Sequence, residues 1–327
     1  MHKLILIDGN AILHRAYHAL PPLTSPTGEP IQAVFGFFSM LLTILNDQKP
    51  DYLIVCFDRP KPTFRQELFA GYHEHRPKIA DEFISQIKKV HEIVHQMDIP
   101  VFELDGYEAD DLIGTLAHQI VSLQTTDYSK KEKAVDSRPL AVDQVLIVSG
   151  DRDLLQLVNS HVMVLSPLVG LKTLTIYDEQ KVEEKYGVTP GQFIDYKALI
   201  GDNSDGYPGV SGIGPKTAAG LIRKFETFEN LYTHLGDVSP KIAEKLAIDA
   251  EQAALAKKLA TIITDAPIHI DIEKAEINKV HVENAKEAFT KLGFNSLLKR
   301  LDQLTGFVHE KAEVKKEKDK SEQLGLL

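Results

Sequence analysis

Cysteine is almost absent from this chain. Of its 327 residues only one, Cys56, is a cysteine, which excludes an internal disulfide framework. Its place inside the apolar run Tyr52-Leu-Ile-Val-Cys-Phe57 reads as a buried strand position rather than a nucleophile. Long apolar runs are absent too. No stretch approaches the roughly 20 residues needed to span a bilayer. The first residues, Met1-His-Lys-Leu-Ile-Leu-Ile-Asp8, hold an apolar segment that is too short for a secretory signal and ends in a charge. A cytoplasmic protein with no membrane partner is expected. A cationic surplus is also missing: the formal net charge is −10. Phosphate neutralisation supplies most nucleic-acid affinity, so net charge alone argues against that partner unless several acids hold metal cations. The positions of the acids decide between the two readings. What is present is ample apolar material, 43% of residues, enough for one large domain or two packed ones.

Short β-rich apolar runs recur at Lys3–Ile7, Leu53–Phe57, Ile99–Leu104, Val145–Val148 and Val162–Leu165. Helical patterns lie between them at Ile31–Asn46, Asp81–Met97 and Ala109–Leu123. In the last, apolar residues at 112, 113, 116, 117, 120 and 121 line one helix face. This alternation predicts βαβ units and a Rossmann-like α/β fold with a parallel sheet flanked by helices. Thr125–Gln144 is polar, contains Pro139 and reads as a surface insertion. From about Gly170 one more strand pattern, Thr173–Tyr177, precedes helices separated by Gly- and Pro-rich turns. The expected organisation is an α/β core over 1–169, a helical region over 170–305 and a charged flexible tail over 306–327. In that tail, Glu310–Glu322 sets five acids against five lysines without apolar periodicity. No internal repeat is visible.

Open parallel sheets bind ligands beyond the carboxyl ends of their strands. Asp8 and Asp58 close two of the apolar runs. Asp151 and Asp153 follow a third, with a spacing that aims both side chains the same way in an extended segment. Glu108, Asp110 and Asp111 follow a fourth and open a helix, where acids also complement the helix dipole. Seven carboxylates at four strand ends would repel strongly unless cations sit among them. All-oxygen ligands select hard ions such as Mg²⁺ or Mn²⁺, and the chemistry expected is two-metal phosphoryl transfer. Asp202 and Asp205, in Leu199-Ile-Gly-Asp-Asn-Ser-Asp-Gly206, read locally as an Asx turn. Local pattern does not place them near the sheet.

Gly209-Val-Ser-Gly-Ile-Gly-Pro-Lys-Thr217 precedes a helical pattern over Thr217–Phe225. Pro215 displaces Lys216 from the position a nucleotide-binding P-loop requires, and no strand precedes the segment. It reads as a hairpin between helices. The backbone N–H groups around Gly209, Gly212, Gly214 and Thr217 would receive a phosphate, with Lys216, Arg223 and Lys224 supplying charge. A ligand-free glycine turn is the alternative. Arg15 and Tyr17 follow Asp8 closely and suit a phosphate contact and a base stack. His14 and His18 have zinc-like spacing but no supporting cysteine or HExxH context. His91 and His95 read as solvated helix residues.

Together these residues resemble the 5′-nuclease domain of bacterial DNA polymerase I, within the flap endonuclease superfamily, from Leu4 to about Leu301. The resemblance is carried by Ile7-Asp-Gly-Asn10, Arg15-Ala-Tyr-His18, Phe57-Asp-Arg-Pro60, Gly106-Tyr-Glu-Ala-Asp-Asp111, Val148-Ser-Gly-Asp-Arg-Asp-Leu-Leu-Gln156, Gly201-Asp-Asn-Ser-Asp205, Pro208–Thr217 and Leu292–Leu301. It implies a PIN-like core and a metal cluster of nine acids: Asp8, Asp58, Glu108, Asp110, Asp111, Asp151, Asp153, Asp202 and Asp205. It makes the glycine segment a helix-hairpin-helix-type element on duplex DNA, usually with a bound K⁺. It also makes residues of about 60–90 a helical arch that orders the 5′ strand, where Phe64-Arg65, Tyr72 and Arg76 match. His73 stands where the family usually has a lysine, and Gly206-Tyr207 replaces the usual Asn-Ile. The implied activity is metal-dependent cleavage of DNA near 5′ ends or flaps, in primer processing and repair, with a DNA polymerase joined to the chain or separate from it. A related nuclease preferring RNA and a catalytically weakened DNA-binding module are the rival expectations.

Overall fold

The computed structural model describes residues 2–74, 80–127, 142–169 and 173–325. Six strands form one sheet: β1 (Lys3–Asp8), β2 (Tyr52–Cys56), β3 (Val101–Phe102), β4 (Gln144–Val148), β5 (Val162–Val169) and β6 (Thr173–Tyr177). Their order is β3-β2-β1-β4-β5-β6, parallel except for β6, which pairs antiparallel with β5. The strand run expected at Ile99–Leu104 pairs only at Val101 and Phe102.

The helices are α1 (Gly9–Ala19), α2 (Gln32–Gln48), α3 (Phe64–Leu68), α4 (Asp81–Gln96), α5 (Ala109–Asp127), α6 (Glu179–Tyr186), α7 (Phe193–Ile200), α8 (Pro215–Phe225), α9 (Phe228–Thr233), α10 (Pro240–Ile248), α11 (Ala250–Ala260), α12 (Ala285–Lys291) and α13 (Asn295–Gly325). Alternate strand residues point to opposite faces. Leu4, Leu6, Ile54, Cys56, Val145 and Ile147 pack with α5 and the later helices. Ile5, Ile7, Leu53, Val55, Leu146 and Val148 pack with α1, α2, α4 and the segment 277–308. Burial on both faces is why the strands read as unbroken apolar runs.

Two sequence expectations change. The insertion expected over 125–144 falls mainly on 128–141, outside the described residues, and α5 runs on to Asp127. The tail expected from residue 306 is instead the continuation of α13 to Gly325. The apolar stripe extends further than the sequence pattern suggested. Leu304 and Val308 are buried, and Lys311 reaches Asp51 at 2.7 Å.

Candidate active site

The strand order reverses between β1 and β4, the place where such sheets bind ligands beyond their strand ends. Asp8 ends β1, and Ser149 follows β4. The register Ile7 against Val148 sets them side by side, so the Ser149 hydroxyl donates to Asp8 at 2.6 Å. The other Asp8 oxygen caps α1, accepting from the Ala11 amide at 2.9 Å. Asp58, just past β2, accepts from the Ala109 amide at the start of α5, at 2.7 Å. Asp151 accepts from the Asp153 amide at 2.7 Å, which folds 153–157 into a 3₁₀ turn rather than the extended segment its spacing suggested.

Mutual repulsion marks these groups as neighbours. Burial first, then Asp58 and Asp151, pushes the Asp8 carboxyl up to about 7. Asp110 is raised well above the carboxylate range by burial and by Asp151, Asp8, Asp58 and Glu108. Asp151 is raised by burial, Asp205 and Asp202. Asp153 is pushed up to about 8 by burial and Asp151. The 202–205 loop, which local sequence did not place, thus lies at the same site. It is held there by a two-stranded pair, β7 (Gly201–Asp202) with β8 (Tyr207–Pro208). A Cβ on Gly201, at φ +70°, would meet the Gly209 nitrogen at 2.2 Å, so both glycines are needed for backbone contact. Gly209 is therefore buried packing, not an open phosphate ligand as expected.

Lys197, Arg65 and His73 reach the acids. Lys197, which sequence reading missed, is only 4% exposed. Its ammonium lies 2.7 Å from Asp153 and pairs with Asp202 as well. The signal for it was a lysine in a helix, Phe193–Ile200, whose other residues apart from Asp195 are apolar or aromatic. Burial alone would lower the Lys197 ammonium, but Asp153 and Asp202 raise it. Arg65, expected to face substrate, is instead buried. Its guanidinium forks onto Asp111 at 2.7 and 2.8 Å, reaches Glu108 at 3.0 Å and donates to the carbonyls of Leu259 and Thr261. Asp111, expected among the metal ligands, is fully buried and also accepts from the amides of Glu108 and Ile263. Its oxygens are committed to structure.

His73 is the third cation candidate. It has φ +61°, its amide donates to the Asp205 carbonyl at 2.9 Å, and its Nε2 lies 3.1 Å from the Asp205 carboxylate. Tyr72, expected at the substrate, is turned inward. Its hydroxyl donates to Glu108 at 3.2 Å, and its ring stacks on His73. Thr63 also donates to Glu108, at 3.2 Å. Arg76 lies outside the described residues. Arg15 is half-buried on α1, and the Tyr17 hydroxyl donates to Glu82 of α4. His91 is half-buried rather than fully solvated, its ring 3.8 Å from that of Phe57 and tilted by 31°.

Among the described residues, no three His, Cys, Asp or Glu side chains already converge in a metal-holding arrangement. The donor chemistry still fits a hard divalent ion. Asp153 Oδ1 is buried and, among the described residues, meets only the Lys197 ammonium, at 2.7 Å.

The glycine hairpin stands apart from the acids. Gly212 is at φ +71° and Gly214 caps α8, with Pro215 as its first residue. The Gly212 carbonyl accepts from Lys245 at 2.9 Å, and that of Gly209 from Gln252. Lys216 is exposed and Thr217 half-buried at the helix start.

Residues 3–187 match the 5′-3′ exonuclease N-terminal resolvase-like domain, and residues 188–283 match the 5′-3′ exonuclease C-terminal SAM fold. DNA polymerase I of Bacillus subtilis is 39% identical over 300 residues, covering 91% of this chain and 32% of that protein. The 5′-3′ exonuclease of Aquifex aeolicus is 34% identical over 304 residues, covering 93% of this chain and 96% of that one. The chain thus spans about a third of the polymerase relatives. Among solved structures, T5 D15 protein co-crystallised with metal ions is similar at a TM-score of 0.59 and 21% identity, covering 94% and 99% of the two chains. The catalytic core of Rad2 in complex with DNA substrate is similar at a TM-score of 0.55 and 15% identity, covering 93% and 91%. At these identities the likeness is one of fold.

Proposed function

The chain belongs to the 5′-3′ exonuclease family, and on that premise we propose that it hydrolyses DNA phosphodiesters near 5′ ends, flaps or junctions. The observation that carries this reading is the gathering of Asp8, Asp58, Asp110, Asp151 and Asp153 at the ends of β1, β2 and β4 and the start of α5, where burial and neighbouring carboxylates raise Asp8, Asp110, Asp151 and Asp153. Acids buried against one another are a site built for cations.

In this proposal Asp8, Asp58, Glu108, Asp110, Asp151, Asp153, Asp202 and Asp205 hold two or more divalent ions, Mg²⁺ or Mn²⁺. Bound there, such ions make water a stronger nucleophile and steady the attacking and leaving oxygens. The chain's own residues fix the ligands. Ser149 and the Ala11 amide orient Asp8, and the Ala109 amide orients Asp58. Thr63, Arg65 and Tyr72 orient Glu108. His73, in place of the family's lysine, and Arg76 supply cationic help to the scissile phosphate, and Arg15 and Tyr17 meet the 5′ strand. The segment over 60–90 orders that strand.

The hairpin grips the duplex backbone through Gly212, Gly214, Thr217 and exposed Lys216, a contact that carries no sequence information. A K⁺ ion at the hairpin would compete with Lys245 for the Gly212 carbonyl. In the cell the activity would serve primer removal and repair beside a DNA polymerase, in the same chain or a separate one. Cleavage of matched 5′-labelled DNA and RNA flaps in Mg²⁺ tests the substrate class. DNA flaps should be cut faster, near the junction. RNA cut as well or better would replace this reading with that of an RNA nuclease.

A further inference from the structure

A buried lysine is costly unless its charge is met. On α7, Phe193, Asp195, Tyr196, Lys197, Ala198 and Leu199 are all buried, yet Lys197 carries its ammonium into the acid site rather than out to solvent. There it joins two elements, the 3₁₀ turn after β4 through Asp153 and strand β7 through Asp202. The Tyr207 ring lies on another side of it, 5.9 Å from the nitrogen. The other half of the acid cluster is different: among the described residues no ion pair forms at Asp8, Asp110 or Asp151. The acids therefore divide into Asp153 and Asp202, which the ammonium touches, and Asp8, Asp110 and Asp151, which it does not touch, although its charge still favours the ionised form of Asp151.

We propose that Lys197 is an internal counter-cation holding the place between Asp153 and Asp202 that a second divalent ion would take, so the cluster loads its ions unequally. This rests on the metal-dependent reading above. The first ion enters at Asp8, Asp110 and Asp151, where it displaces nothing. The second must move the ammonium away from both carboxylates and repay that lost pairing. An ammonium bears one charge against the two carboxylates it touches, Asp153 and Asp202, so it leaves the pair with a net negative charge. A divalent ion can win the place, but at reduced affinity. Lys197 thus sets the divalent concentration at which the second site fills.

The test is a titration of the metal-free full chain with Mn²⁺ alone, without DNA, followed by calorimetry and by the free-Mn²⁺ electron paramagnetic resonance signal. The wild type should bind one ion tightly and a second about tenfold or more weaker. In Lys197→Met, which keeps the apolar stem and removes the charge, the second site should tighten by about tenfold while the first stays nearly unchanged. The metal-free variant should also melt lower than the wild type and recover on Mn²⁺ addition. If Lys197→Met does not fold without metal, Lys197→Gln replaces it under the same expectation. Two equally tight sites in the wild type, or a second site unchanged or weaker in the variant, would overturn the proposal. No Mn²⁺ binding by the wild type would instead overturn the metal reading itself, and this inference with it.

Discussion

Arg65 and Asp111 form a two-pronged ion pair inside the protein, with Nη1 2.7 Å from Oδ2 and Nη2 2.8 Å from Oδ1. Both side chains are essentially inaccessible. The pair joins α3, at the base of the segment over 60–90, to α5, and further bonds run to Leu259 at the end of α11 and to Thr261 and Ile263 just past it. Removing one partner leaves an uncompensated buried charge. Asp111→Ala should therefore lower unfolding free energy by about 3–5 kcal/mol, read by urea denaturation, while the folded fraction still binds Mn²⁺. A loss below about 1 kcal/mol together with lost Mn²⁺ binding would return Asp111 to the ligand set.

Stability without metal should depend on pH in a fixed direction. Folded Asp8 and Asp153 titrate near 7 and 8, against about 4 in an unfolded chain. A carboxyl whose folded value is raised favours the fold while protonated. That contribution is whole below about pH 4 and is lost as pH rises through 7 to 8. Divalent ions replace the lost protons, so the rise in Tm on adding Mg²⁺ should grow from pH 5 to pH 8, measured against chelator-treated protein. A Mg²⁺ effect constant across that window would contradict the arrangement.

Much of the α/β core was legible because both sheet faces are buried, so strands such as Lys3–Asp8 and Gln144–Val148 read as apolar runs. The seven strand-end acids followed from the rule that ligands gather at strand ends. What sequence pattern could not supply was long-range contact. Asp202 and Asp205 are held at the site by contacts far apart in sequence, the close Gly201–Gly209 approach, the Lys197 bridge to Asp153 and the His73 contacts to Asp205. Lys197 becomes visible only once α7 is placed over the turn at 153–157. Arg65 and Tyr72 were expected at the substrate from the resemblance alone, which carries no burial information, whereas here Arg65 packs against Glu108 and Asp111 and Tyr72 against Glu108.

His73 reaches Asp205 through both its backbone and its ring, from a left-handed backbone conformation that histidine tolerates better than most side chains. His73→Ala should slow single-turnover cleavage of a pre-bound flap by about tenfold or more. His73→Lys, which restores a cation, should stay within a few-fold of the wild type. Equal rates for all three proteins would remove His73 from the reaction.

Lys216 is exposed at the start of α8, beside Gly214. Lys216→Ala should weaken duplex binding similarly across sequences and reduce the slope of log affinity against log salt by about 1. An unchanged slope, measured by fluorescence anisotropy at several salt concentrations, would count against a hairpin grip.

The account turns on the carboxylates where β1 and β4 meet. Its most direct test is Mg²⁺-dependent cleavage of a 5′-labelled DNA flap by wild type, Asp110→Ala and Asp151→Ala, with flap binding measured in parallel. The predicted result is cleavage lowered by about 10²–10³-fold or more in both variants, with binding retained within a few-fold. Full cleavage by either purified variant would contradict a metal cluster built from these acids.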